Sequence, residues 1–254
     1  MKTSVNAITL MMVILGLSSA QAHAEVIAQQ NTVLVGYEYL LNAEDKNPNL
    51  YDQPYLVLAN TTVADWGSVT GWLRLENPLD TAKNQQDKDA GATTKVWLKL
   101  DYNLGSSPFN LWVQSFTNAN EACTEQNLYL GASYDVLVGK LKGTVGVGLH
   151  YGYGSFSPTG ASFHALTGGA VTVMLGYPIT PHWFAKFYYE SQFNRSDEHR
   201  QTFNYDSYGH QAVLGLDYRF NEHWTLGTLY KHRQSWGGAL NGGGEVMLEA
   251  GYHF

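Results

Sequence analysis

The segment Thr94 to Tyr102 sets out the chemistry open to this chain. Lys95, Trp97, Lys99 and Asp101 alternate with Val96, Leu98, Leu100 and Tyr102, so charged and aromatic groups share one face and apolar groups the other. The same company recurs elsewhere: Trp72 with Arg74 and Glu76, Trp112 with Phe116, Tyr188 with Glu190, Asp217 with Arg219, Lys231 with Arg233, and Glu249 near the end. Ionised groups of both signs either pair with one another or hold a polar solute. Flat rings between them offer surfaces to a solute that carries a ring. A near balance of signs disfavours strong selection of anions or cations. These sixteen residues are therefore candidates for lining a passage and contacting a solute. The competing reading keeps the same charges as structural pairs that close or stiffen the wall.

Catalytic chemistry has no comparable support. The chain holds nine histidines and many serines and aspartates, but no Gly-x-Ser-x-Gly or His-Glu-x-x-His motif and no spacing of metal ligands. His164 and His199 fall in expected loops and read as solvated. The sequence thus points to no catalytic residue, no metal and no cofactor.

The elements that must position these faces are strands. Period-two alternation marks about twelve, near 31–41, 51–60, 66–78, 93–102, 109–118, 126–138, 143–154, 167–177, 183–194, 209–220, 223–234 and 244–254. Most approach the roughly 9–11 residues that a tilted strand needs to cross a bilayer. No stretch of similar length has helical spacing. Short connections at 61–65, 103–108, 139–142, 178–182 and 221–222 alternate with mostly longer ones at 42–50, 80–92, 119–125, 155–166, 195–208 and 235–243. Short turns at one end and long loops at the other are the habit of outer-membrane barrels, whose short turns face the periplasm. Tyr177, Trp183, Tyr218, Phe220, Trp224 and Phe254 lie beside the short turns, where amphipathic rings suit a membrane interface. The expected fold is an all-β transmembrane antiparallel barrel. A soluble β-sandwich or lipocalin-like barrel also alternates, but it would bury the apolar face, and few such folds need this many strands.

The first residues address the compartment. Lys2, the apolar run Ala7–Leu17 and the triplet Ala22-His23-Ala24 compose a secretory signal peptide over 1–24, leaving 25–254 as the barrel. Lys2 is the one Lys, Arg, Asp or Glu in that segment, so the mature chain keeps 14 of the 15 basic residues against 22 acidic ones, a balance that gives nucleic acid no electrostatic reason to bind. A single Cys123 precludes an internal disulfide.

Two local stretches carry a family resemblance: Asp65-Trp66-Gly67-Ser68-Val69-Thr70-Gly71-Trp72 followed by Glu76-Asn77, and Asn127-Leu128-Tyr129-Leu130-Gly131-Ala132-Ser133-Tyr134-Asp135. With twelve short strands and the ending Gly251-Tyr252-His253-Phe254, the mature chain resembles the nucleoside-specific channels of the Tsx type and their vibrio outer-membrane relatives. The resemblance implies a monomeric channel in the bacterial outer membrane that passes nucleosides by diffusion past aromatic and ionisable lumenal residues. The terminal Phe254 likewise resembles the signature by which barrel-assembly machinery recognises its clients. Expected partners are outer-membrane lipid and lipopolysaccharide, that machinery, and a small polar solute such as a nucleoside. Three alternatives stay open: a porin for acidic sugars, a membrane phospholipase or protease, and a closed barrel serving structure or recognition through loops such as 80–92, with Lys83, Asp87, Lys88 and Asp89.

Overall fold

Alternating sequences of this length can satisfy their backbone in a membrane only by pairing every strand on both sides, and the chain does so. The structure is a computed structural model that describes residues 25–47, 50–79 and 91–254. In chain order the strands are β1 (Val26–Leu41), β2 (Gln53–Ala64), β3 (Gly67–Glu76), β4 (Thr93–Asn103), β5 (Phe109–Ala119), β6 (Cys123–Val138), β7 (Leu141–Phe156), β8 (Ala161–Pro178), β9 (Trp183–Phe193), β10 (Gly209–Arg219), β11 (Trp224–Gln234) and β12 (Gly243–His253). Each pairs antiparallel with its sequence neighbour, and β1 closes the barrel against β12 from Thr32↔His253 to Leu41↔Gly244. Phe254 seals the seam by exchanging main-chain hydrogen bonds with Asn31 at 3.2 and 3.0 Å. Closure removes the free edges that would otherwise template aggregation.

The distribution of side chains is inverted relative to a soluble protein. Leu149, Leu214 and Leu248 are 59%, 60% and 60% exposed, whereas Glu38, Glu190 and Glu245 are at 0%. Apolar groups turned outward suit hydrocarbon and would be costly in water. Of the two readings of the alternation, the membrane barrel holds and the soluble barrel fails. At the short-turn end, Trp183 packs edge-on to Tyr218, Tyr218 to Phe220, and Trp224 to Tyr252, an aromatic belt at one interface. Tyr37, Tyr39, Tyr151, Tyr208 and Tyr230 stand exposed toward the other end.

The expected alternation of short and long connections survives only in part. The five short turns are 65–66, 104–108, 139–140, 179–182 and 220–223, but two connections at the opposite end, 120–122 and 157–160, are just as short. The residues assigned to those two loops belong instead to the ends of β6, β7 and β8, which run 16, 16 and 18 residues and project beyond their neighbours. Long strands and long loops are alternative ways of using the same residues. Among the described residues two short helices also interrupt the loops, α1 (Ala43–Lys46) and α2 (Asp197–Phe203). Helix α2 has local causes: the Ser196 side chain caps the His199 N–H, Asp197 and Glu198 complement the first turn, and Asn204 at φ 56° ends it. It is too short to give a periodic signal. The signal-peptide assignment at 1–24 and the charged loop residues Lys83, Asp87, Lys88 and Asp89 lie outside the described residues.

Candidate solute passage in the barrel interior

The inward faces of β1, β3, β4, β11 and β12 meet in one network of charge. The Glu38 carboxylate accepts from Arg74 and stands 3.3 Å from the Lys231 ammonium and 3.4 Å from the Arg233 guanidinium. Glu76 holds Arg74 at 2.8 Å and Lys95 at 2.7 Å. Glu245 holds Lys231 and Arg233, each at 2.5 Å. Three acids thus face four bases on this part of the wall. Arg74 is further seated 3.7 Å over the Tyr55 ring. Such a lattice persists because every member but Lys95, which has Glu76 alone, holds at least two partners; an isolated buried charge there would cost several kcal/mol or more.

The opposite wall carries neutral donors from β6, β9 and β10 around Glu190. Tyr129 Oη donates to Glu190 Oε1 at 2.7 Å, Tyr188 Oη donates to Oε2, and Gln211 Nε2 donates to Oε2 at 3.3 Å. No basic side chain pairs with Glu190 among the described residues, so the expectation that lumenal acids face bases fails at this position. Rings fill the space between the walls. Trp72 and Trp97 stack with centroids 6.3 Å apart, Phe116 and Tyr188 approach them edge-on at 6.4 and 6.0 Å, and Trp112 lies 5.7 Å from Tyr129. Gly146 makes this possible, because a Cβ there would stand 2.9 Å from the Trp112 ring.

Toward the short turns the interior holds further ion pairs. Lys99 bonds Asp101 on its own strand and donates to Thr144 Oγ1 at 2.9 Å. Lys186 bridges to Asp217 at 2.9 Å and Glu249 at 3.8 Å, with about a third of the Lys186 side chain in contact with water (34%). At the loop end a cavity of about 880 Å³ descends to Glu76, Lys95, Glu125 and Arg233, with Cys123 on its wall.

Loops fold into this mouth. Helix α2 inserts His199, which is fully buried, stacks on Phe163 at 4.6 Å and faces Glu125 at 3.6 Å and Thr167 at 3.2 Å. The hydroxyl–imidazole–carboxylate order of Thr167, His199 and Glu125 is a latch: the Thr167 hydroxyl is buried and accepts the Ser196 N–H at 2.8 Å. Arg195 donates to Gln192 at 2.8 Å, and Tyr205 donates to Glu125 at 3.2 Å. Burial and the Glu125 carboxylate push the Tyr205 phenol well up from its ordinary range, so it stays a donor. Trp236, from the loop between β11 and β12, is packed in the same cluster as Trp112, Tyr129 and Ala170.

Of the sequence candidates, Trp72, Arg74, Glu76, Lys95, Trp97, Lys99, Asp101, Trp112, Phe116, Tyr188, Glu190, Asp217, Lys231, Arg233 and Glu249 face the interior as buried or half-buried groups. Arg219 does not reach it. It ends β10, is exposed at the short-turn mouth, and has no ion pair among the described residues. Alternation gives the face of a residue but not its depth. Interior residues outside the sixteen candidates include Glu125, Arg195, His199, Tyr205 and Trp236, and the expectation that His199 is solvated fails, for it is fully buried. Four of these five belong to loops or α2, where no periodicity could place them, although a tryptophan inside Ser235-Trp236-Gly237-Gly238 is an unusual loop residue.

Comparison with known proteins adds to this geometry. The model of the family described as "Nucleoside-specific channel-forming protein, Tsx" matches residues 37–254. No curated protein matches. Among solved structures, a NanC porin superposes with a TM-score of 0.53 at 11% identity, covering 87% of this chain and 98% of that one. A KdgM porin in complex with disordered oligogalacturonate gives 0.50 at 11% identity, covering 88% and 99%. At that identity the likeness is one of fold.

Proposed function

We propose, from the premise that this chain belongs to the family of nucleoside-specific channel-forming proteins, that it lets nucleosides diffuse across the membrane through the barrel interior. The protein is a channel-forming β-barrel of the bacterial outer membrane. The observation that carries the nucleoside reading is the layering of Trp72, Trp97, Phe116 and Tyr188 between the Glu38–Arg74–Glu245 network and Glu190. A nucleoside is a flat heterocycle joined to a hydroxyl-rich sugar. Rings take the first and an ionised, hydrogen-bonding wall takes the second. The sixteen sequence candidates, without Arg219, serve as its contacts.

Acidic sugars fit less well, because a carboxylate solute needs unencumbered basic forks and each of Arg74, Lys95, Lys231 and Arg233 already holds an acid. Reconstitution in planar bilayers tests the proposal: adenosine should reduce the current in a saturable way while galacturonate at the same concentration should not. The opposite ranking would favour the acidic-sugar reading, and no conductance above the bare bilayer would end both. On the same reading, residues 1–24 are removed on export, barrel-assembly machinery takes the chain by its Phe254 end, the aromatic belts meet lipid and lipopolysaccharide, and the barrel acts as a monomer.

A further inference from the structure

Trp236 is unlike the other rings of the interior. Trp72, Trp97, Trp112, Phe116 and Tyr129 are fixed on strands, whereas Trp236 is delivered by a loop. That loop is a narrow finger: Trp236 N donates to Ala239 O at 3.0 Å and Ala239 N returns to Trp236 O at 2.9 Å. Gly237 and Gly238 make the tip at φ 53° and 89°, a turn that residues with a Cβ disfavour. Ser235 precedes it at φ 46°, a left-handed conformation for a residue with a side chain, held by Ser235 Oγ, which accepts the Asp206 N–H at 3.2 Å and has Asp206 Oδ2 and Leu240 O as alternative acceptors for its proton.

The finger places an indole in the barrel at 3% exposure, with its ring 6.4 Å from Phe116 and tilted by 34°, and with Arg195 at 5.8 Å. The ring is therefore enclosed but obliquely stacked. A second observation concerns polarity. A buried indole N–H ordinarily finds an acceptor, yet among the described residues the Nε1 atoms of Trp112 and Trp236, packed in one cluster, lack one. The slot that Trp236 fills thus offers ring faces and the unused Trp112 N–H, which suits a planar molecule bearing acceptor nitrogens or carbonyls.

We propose that the indole of Trp236 occupies an internal slot for a planar bicyclic nitrogen heterocycle, and that the entering solute must displace it. The inference rests on the nucleoside reading and refines it toward solutes with fused five- and six-membered rings, the shape that indole shares with a purine. Trp236 then acts as a resident competitor that keeps the passage narrow when no solute is present, and it ranks bicyclic above monocyclic bases.

The test is chemical rescue of full-length protein refolded into planar bilayers. Trp236→Gly should conduct several-fold more than the parent, and free indole should return the current toward the parent level more effectively than phenol. In the same variant adenosine should block at several-fold lower concentration than in the parent, with a smaller gain for uridine. Trp236→Phe, which keeps a ring, should fall between and guards against loop collapse; heat-modifiable gel mobility confirms that each variant is folded. Unchanged conductance in the folded glycine variant, without an effect of indole, would overturn the slot. Weaker adenosine block in the variant would overturn displacement and make Trp236 a stacking partner. Rescue by indole with no response to any nucleoside would leave the slot standing while the nucleoside reading failed.

Discussion

Replacing Glu38 by glutamine tests whether the outer half of the barrel is as dry as it is packed. Glu38 is fully buried and answers three cations, Arg74, Lys231 and Arg233. Glutamine keeps the shape and removes the charge, so four bases would face the two remaining acids, Glu76 and Glu245. Breaking one side of a buried ion-pair network costs about 3–5 kcal/mol, because cations are left in a low-dielectric interior without their counter-charge. The same change at Asp197, whose pair with Arg200 is solvated at 77% and 43% side-chain exposure, should cost no more than about 1 kcal/mol. Urea unfolding from lipid vesicles, followed by tryptophan fluorescence, measures both. Reversal potential in a salt gradient gives an independent reading, since the unbalanced cations should move selectivity toward chloride. A loss below about 1 kcal/mol for Glu38→Gln, equal to that of Asp197→Asn, would mean that water screens the network and would refute the reasoning from burial.

Other outcomes follow from the same geometry. Gly146→Val should fold poorly, because even its Cβ would stand 2.9 Å from the Trp112 ring; the folded fraction on a heat-modifiability gel reports it, and combining the change with Trp112→Ala should recover part of the loss. His199→Ala removes the latch between α2, Glu125 and Thr167, so the 194–208 connection should become more sensitive to added protease while the barrel stays intact. Cys123 lines the cavity at the loop end, so a membrane-impermeant thiol reagent should label it on intact cells and lower the single-channel current. A cysteine placed at Lys140, in a short turn, should resist the same reagent.

Much of the fold was legible because a membrane barrel writes itself into the chain with a period of two. Val96 to Tyr102 and Val145 to Tyr153 needed no partner to reveal which side meets lipid, since successive residues of a strand must point opposite ways. The inward direction of Lys95, Trp97, Lys231 and Arg233 followed from the same rule. Partnering did not. Glu190 could have been matched with any lumenal base by charge alone, yet it sits beside Tyr129, Tyr188 and Gln211, because curvature and register set which strands face across the interior. The ends of β6, β7 and β8 resemble loops in sequence, for a strand that rises above its neighbours loses the apolar outward stripe that marks it.

Sequence by itself determined the face of each strand residue, the number of strands and the mixed-charge, aromatic character of the interior, all of which are local consequences of alternation. Tertiary structure alone decided depth, pairing and closure. It put Arg219 at the mouth instead of the passage, gathered Glu38, Glu76 and Glu245 from β1, β3 and β12 into one network, and brought His199 and Trp236 from loops into the mouth. Those facts depend on how far around and along the barrel each residue lies. That distance is fixed only when the last strand hydrogen-bonds to the first.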